Sequence, residues 1–256
     1  MSVPTDVPAR SADDFGVITM RGPDAAKFLQ GQVSADVEKL APGARTLAGL
    51  HNPQGRVIAL LDIARTGDDE FLATLPRDLV AAVTQRLRKF VLRAQVRIEE
   101  TAGTVVSGRE TASAFSPPDT TLQPIDAVRA GQPQVYAATS EQFVAQMLNL
   151  DLIGAIAFDK GCYTGQEVIA RAHYRGRVKR RMQRWRNAGG TRLQPGDAAR
   201  ARDGRPLIVV RVADDGEGGQ QLLAVGNYGA LNDVETPASE AVIVDGPLPL
   251  PYTLPE

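Results

Sequence analysis

Beyond Gly176 the chain no longer reads like the chain before it. Strands are expected at residues 178–186, 207–213 and 221–227, which are separated by NAGG, QPGD, RDGR and DDGEGG. Glycine and aspartate at such close intervals favour tight turns and interrupt helices. Short strands joined this way predict a small antiparallel barrel or sandwich. The earlier residues are patterned differently. Apolar segments at 45–51, 56–65 and 70–75 flank the turn signals NPQG and TGDDE, which predicts a three-stranded meander. Pro76 opens a helix to Arg93, with Leu79, Val83, Leu87 and Val91 at helical intervals, and residues 95–100 return as a strand. A β-β-β-α-β order predicts a sheet with helices on one side, the α+β class.

Other segments are less regular. Residues 15–20 alternate weakly and suggest a strand. In RGPDAAKFLQGQVSADV, Pro23 suits a first helical turn and Asp24 complements the helix dipole. Phe28, Leu29 and Val33 share one face, and Gly31 marks a helix end. Gln30, Gln32 and Asp36 read as surface residues of that helix. Residues 116–124 form a loop or boundary. A short strand is expected at 135–138, and Ser140 is expected to cap a helix over 141–148. The closing GPLPLPYTLPE is proline-rich and predicts an extended surface segment.

Composition excludes several functions. With 256 residues and 43 % hydrophobic content, the chain can bury a core without disulfides or metal. One cysteine, Cys162, excludes an intramolecular disulfide. With only His51 and His173 beside it, an ordinary four-ligand zinc site or a self-contained iron–sulfur cluster is excluded too. A net charge of −1 gives no global footprint for nucleic acid, so direct binding of it is not expected. The opening MSVPTDVPARSADDFG lacks the apolar core of a secretory signal, and Asp6, Asp13 and Asp14 speak against a transit peptide. No apolar stretch approaches the roughly 20 residues that span a bilayer. A cytoplasmic protein without a membrane partner is the expectation.

Chemistry concentrates in DKGCYTGQEVIARAHYRGRVKRR, residues 159–181. The Lys160 ammonium, two residues from Cys162, would favour the reactive thiolate. Gly161 and Gly165 would let backbone approach a ligand closely. Residues 166–172 predict a helix whose first turn carries Gln166 and Glu167. A carboxylate there commonly just complements the helix dipole, but it can also accept two bonds from a heterocycle with adjacent donors, such as a pterin. Residues 171–186 hold eight Lys or Arg, either a solvated face or a local anion site with Arg171 at its edge. His173 is a candidate pocket residue.

The octapeptide KGCYTGQE resembles the signature of the YgfZ-type folate-binding proteins, relatives of the glycine-cleavage T-protein that support iron–sulfur enzymes. RGPDAAKFLQGQVSADV, HNPQGRVIALLDIAR and KFVLRAQVRI resemble further segments of that family, so the likeness covers most of residues 15–186. It implies a T-protein-like arrangement of three subdomains around a folate cavity, with a ferredoxin-like α+β body and a small C-terminal barrel. The body would occupy residues 1–175, as two intertwined parts meeting near 100–125, and the barrel residues 176–256. Cys162 and Lys160 would be the chemical groups. Glu167, Gln166, Tyr163, Gly165 and Arg171 would bind tetrahydrofolate. Partners would be folate and iron–sulfur client enzymes, and a closed cavity implies a monomer. T-proteins carry an acidic pair where this chain has Ile58 and Ala59, which argues against aminomethyl transfer.

Overall fold

The structure, a computed structural model, describes residues 15–101, 124–176, 178–228 and 241–255. Strands β1 (Phe15–Arg21), β2 (Arg45–His51), β3 (Val57–Gly67), β4 (Glu70–Pro76) and β5 (Arg97–Thr101) form one sheet in the order β2-β3-β4-β1-β5. Every pairing in it is antiparallel. The meander β2-β3-β4 falls where its turn signals place it. Helix α1 (Ala25–Gln30) stops at Gly31, and helix α2 (Arg77–Lys89) starts from a Pro76 cap. Leu79, Val83 and Leu87 recur along α2 at helical spacing and are buried with Ile18, Met20, Phe71, Ala73 and Leu75 of the sheet. Burying side chains of this size contributes roughly 1.5–3 kcal/mol each, which fixes α2 on the sheet. The approach is close: a Cβ on Gly16 would lie 2.8 Å from Val80 Cγ2.

Residues between the sheet and the barrel depart from expectation. Helix α3 (Pro124–Arg129) begins at the end of the predicted loop, most of which lies outside the described residues, as does the 100–125 boundary. The strand expected at 135–138 is instead a single 3-10 turn, Ala137–Thr139. The helix expected over 141–148 is reduced to the 3-10 turn Ala145–Leu148. The cause is tertiary pairing. Glu141 N donates to Val57 O, Val57 N donates to Phe143 O, and Arg56 bridges Val144. Backbone groups already bonded to the start of β3 cannot also form a helix ladder. Glu141 at φ +61° is itself outside helical geometry.

After helix α4 (Gln166–Arg175), strands β6 (Arg180–Asn187), β7 (Ala198–Ala201), β8 (Pro206–Asp214), β9 (Gln220–Asn227) and β10 (Val242–Leu248) close a barrel in the order β10-β6-β9-β8-β7. Of the two architectures expected, closure decides for the barrel: β10 runs parallel to β7 and antiparallel to β6. Trp185, Leu207, Val209, Leu222 and Val244 fill it. The proline-rich end runs along the surface, as expected, but is tied down. Its first residues belong to β10, Leu250 packs on the main core, and Tyr252 Oη donates to Gly131 O at 2.8 Å.

Arg181 joins barrel to body. It is 3 % exposed and makes a two-pronged ion pair with Asp151, both bonds 2.9 Å. Its Nη1 also donates to Gln146 O at 3.1 Å. The basic run of residues 171–186 reads as either a solvated face or a local anion site, and Arg181, buried in this pair, serves neither. Buried ion pairs stabilise little in total, but removing one partner strands the other charge. Arg181→Ala is therefore expected to lose about 3–5 kcal/mol in a denaturant titration, and a loss under 1 kcal/mol would contradict the junction described.

Candidate functional site

Cys162 is exposed on the loop that leads into α4, and the loop is held at three points. The first is Lys160. Its Nζ donates to the carbonyls of Gln30, Val33 and Ala35 at 2.8, 2.7 and 2.7 Å. An ammonium has three donors, so all are used. The second is Tyr163, 7 % exposed, whose ring lies 5.1 Å from Lys160 Nζ and 6.2 Å from the His51 ring. Burial pushes its phenol up to about 12. The third is Gly165, at φ +83°, where a Cβ would lie 2.5 Å from Asn52 O and 3.1 Å from Gly55 Cα. Gly55, at φ +71°, would itself meet Val168 Cβ at 2.9 Å. Each glycine therefore serves both backbone conformation and close approach. Gln166 completes the turn. Its N donates to Tyr163 O and its Oε1 accepts from Tyr163 N, at 3.2 and 3.3 Å.

Three separate sequence stretches thus meet: the end of α1, the NPQG turn and the KGCYTGQE loop. The α1 end is shaped by its own side chains. Gln30, expected at the surface, is buried; its Oε1 accepts from Val37 N and its Nε2 donates to Asp36. Ser34 Oγ donates to Ala155 O, and Ala157 N donates to Ser34 O. At the turn, Asn52 Oδ1 accepts from Gln54 N and Arg56 N, both at 3.0 Å, the local role an asparagine performs in turns. Between the pins, Gly161 and Cys162 remain exposed.

A cleft lies elsewhere. Phe15, Leu47, Asp62, Thr74, Gln134 and Arg211 are among the residues lining a cleft with about 470 Å³ of empty space, its open mouth included. No residue of the KGCYTGQE loop lines it. Asp62 there is paired with Arg45, and Arg211 Nη1 donates to Gln132 O.

No protein-family model matches the chain. A protein of Klebsiella pneumoniae (strain 342) described as "tRNA-modifying protein YgfZ" is 30 % identical, over 94 % of this chain and 92 % of its own length. The protein so described from Cronobacter sakazakii (strain ATCC BAA-894) is 31 % identical, over 96 % and 93 %. The chain belongs to the YgfZ family. The Klebsiella alignment runs over 312 positions, more than the 256 residues of this chain, so that YgfZ protein carries segments with no counterpart here. In fold, the chain is similar to the glycine cleavage system aminomethyltransferase T of Bartonella henselae, with a TM-score of 0.63 at 11 % identity, covering 84 % of this chain and 77 % of that one. The fold is thus α+β and T-protein-like.

The structure sorts the signature residues of this YgfZ chain by what they touch. Tyr163, Gly165 and Gln166 build the loop. Lys160, expected to act on the thiol through its charge, makes no hydrogen bond to Cys162; its donors face backbone carbonyls. Burial draws its ammonium down to about 8, partly offset by Asp36 and Glu38. Glu167 and Arg171, one turn apart on α4, are exposed and have no ion pair among the described residues. His173 stacks on Phe158 at 3.8 Å between centroids, with Tyr174 edge-on at 4.7 Å. The basic run disperses: Arg181 is buried, Arg186 pairs with Asp215 and Glu217, and Arg177 lies outside the described residues.

His51 is the residue that sequence reasoning undervalued. It is fully buried at the end of β2, beside Tyr163, and neither ring nitrogen meets a side-chain or backbone partner at bonding geometry. Its neighbour Gly49 lacks the side chain that would occupy the space of the ring. Burial lowers the imidazole to about 4. The unfolded chain protonates His51 near pH 6.5 and the folded chain near 4, so protons favour unfolding between them. Stability contributed by neutral His51 is full above pH 6.5 and lost as pH falls through that window, by about 3 kcal/mol at pH 4. Denaturation of wild type and His51→Asn across this range should show that extra slope only in wild type; parallel profiles would refute it.

Proposed function

We propose that the chain binds tetrahydrofolate and supports assembly or repair of iron–sulfur enzymes, tRNA-modifying ones among them, with Cys162 as the functional thiol. The observation that carries this reading is a single exposed thiol on a loop pinned at Lys160, Tyr163 and Gly165. A loop spent so heavily on placing one side chain suits a group that must meet a reacting atom in fixed geometry. The Klebsiella and Cronobacter relatives are described as tRNA-modifying proteins, and the reading extends this to the present chain. A thiolate at Cys162 would attack one sulfur of a client disulfide, forming a mixed disulfide with it and displacing the other sulfur as thiolate.

The residues present fit a folate ligand at the start of α4. Among the described residues Glu167 has no ion pair, and its two carboxylate oxygens suit the adjacent N–H donors of a pterin. Arg171, one turn later and likewise without an ion pair among the described residues, suits a carboxylate of the glutamate tail. Gln166, Tyr163 and Gly165 would act by holding the loop and helix start in place. When bound, tetrahydrofolate supplies a reduced pterin ring, which these residues orient. The chain would work in the cytoplasm as a monomer. Among the described residues, no helix is long and apolar enough to cross a membrane.

One-carbon transfer finds less support. Ile58 and Ala59, which occupy the positions of the T-protein acids, are buried in the core, and Asp62 is tied to Arg45. A purely basic adaptor surface loses Arg181 and Arg186 to ion pairs.

Calorimetric titration of tetrahydrofolate should give binding that Glu167→Gln weakens by about 1.5–3 kcal/mol, the loss of a charged acceptor. Equal affinity in both proteins would move the ligand away from α4, and no binding to wild type would end the folate assignment. In the same series Cys162→Ser should keep folate affinity and fold yet fail to support client enzymes in cells.

A further inference from the structure

The carbonyls that receive Lys160 form a site of their own. Gln30, Val33 and Ala35 come from the last residue of α1 and the turn after it, and all three oxygens converge on one nitrogen at 2.7–2.8 Å. That turn is held without help from Lys160, by the Gln30 side chain bonded to Asp36 and Val37 and by Ser34 bonded to Ala155. Asp36 and Glu38 add negative charge around it. The turn is therefore a prebuilt cradle for one ammonium. The chain between the cradle and the buried Tyr163 consists of Gly161 and Cys162 alone, and a Cβ at Gly161 would meet nothing within 4 Å. Among the described residues no hydrogen bond or ion pair reaches Cys162, so its placement depends on the two ends of the loop.

We propose that Lys160 is a positioning residue: its ammonium, seated in the three-carbonyl cradle, sets where the Cys162 thiol stands without bonding to it. The inference deepens the reading of Cys162 as the functional thiol and rests on it. A lysine serving stability alone would leave the thiol in place when substituted. A positioning lysine, once removed, frees the loop on one side while Tyr163 and Gly165 still hold the other. An emptied cradle would accept a small primary ammonium that carries the same three donors.

The single cysteine makes the test direct. A nitroxide attached to Cys162 in the full chain reports loop motion by electron spin resonance. In wild type the label should be immobilised; in Lys160→Ala the immobile component should be lost. Propylammonium should restore it saturably, and tetramethylammonium, which has no N–H, should not. Identical spectra for wild type and the alanine variant would overturn the proposal, as would equal restoration by both cations. If the alanine variant does not fold, Lys160→Met keeps the aliphatic stem and is expected to fold, to show the mobile label and to fail in cells; full function in cells would overturn the proposal. Cys162→Ser separates the two levels. If that variant supports client enzymes, the thiol reading fails while the label result still reports on the cradle.

Discussion

Three hydrogen bonds from one ammonium organise this molecule around its cysteine. Each bond from Lys160 to a backbone carbonyl is charge-assisted, a class that contributes roughly 1.5–3 kcal/mol. Burial works against them, and the lowered proton affinity of Lys160 records that cost. What the bonds gain is attachment across a long stretch of chain. They tie residue 160 to the end of α1, 125–130 residues earlier. Without them, three buried acceptors would need other donors, and the α1 turn and the cysteine loop would be separate pieces.

The opposite end of the loop uses no charge. Gly165 and Gly55 approach so closely that a side chain on either would strike the other segment. Tyr163 fills the space between, over buried His51. A polar cradle, an aromatic plug and a glycine contact together hold a loop of six residues, and the thiol stands where none of them reaches. The same helix that begins at Gly165 carries Glu167 and Arg171 outward. An exposed thiol and a carboxylate with no ion pair among the described residues thus leave one junction, and the proposed folate and thiol reading starts from that geometry.

Much of the fold was legible because its signals are local. The meander follows from NPQG and TGDDE, α2 from the spacing of Leu79, Val83 and Leu87, and the barrel from its glycine turns. The failures share a cause. Residues 141–144 pair with the start of β3, and no local pattern announces a partner so distant. Arg181 looked like one cation in a run of eight because Asp151, which buries it, stands 30 residues away. The signature was legible as an octapeptide, but the work of its members was not. Lys160 suggested a thiolate neighbour and Gly165 a close approach to ligand; in the structure the Lys160 ammonium meets three remote backbone carbonyls, and Gly165 lies against Asn52 and Gly55.

Backbone 15N relaxation over residues 160–167 tests the pinned loop most directly. The account predicts order parameters near the rigid value of about 0.85 through Gly161 and Cys162, although both are exposed. Values below about 0.6 at those two residues, with the flanking helix rigid, would mean that the loop is not held, and the placement of the thiol could not then be the organising feature of this protein.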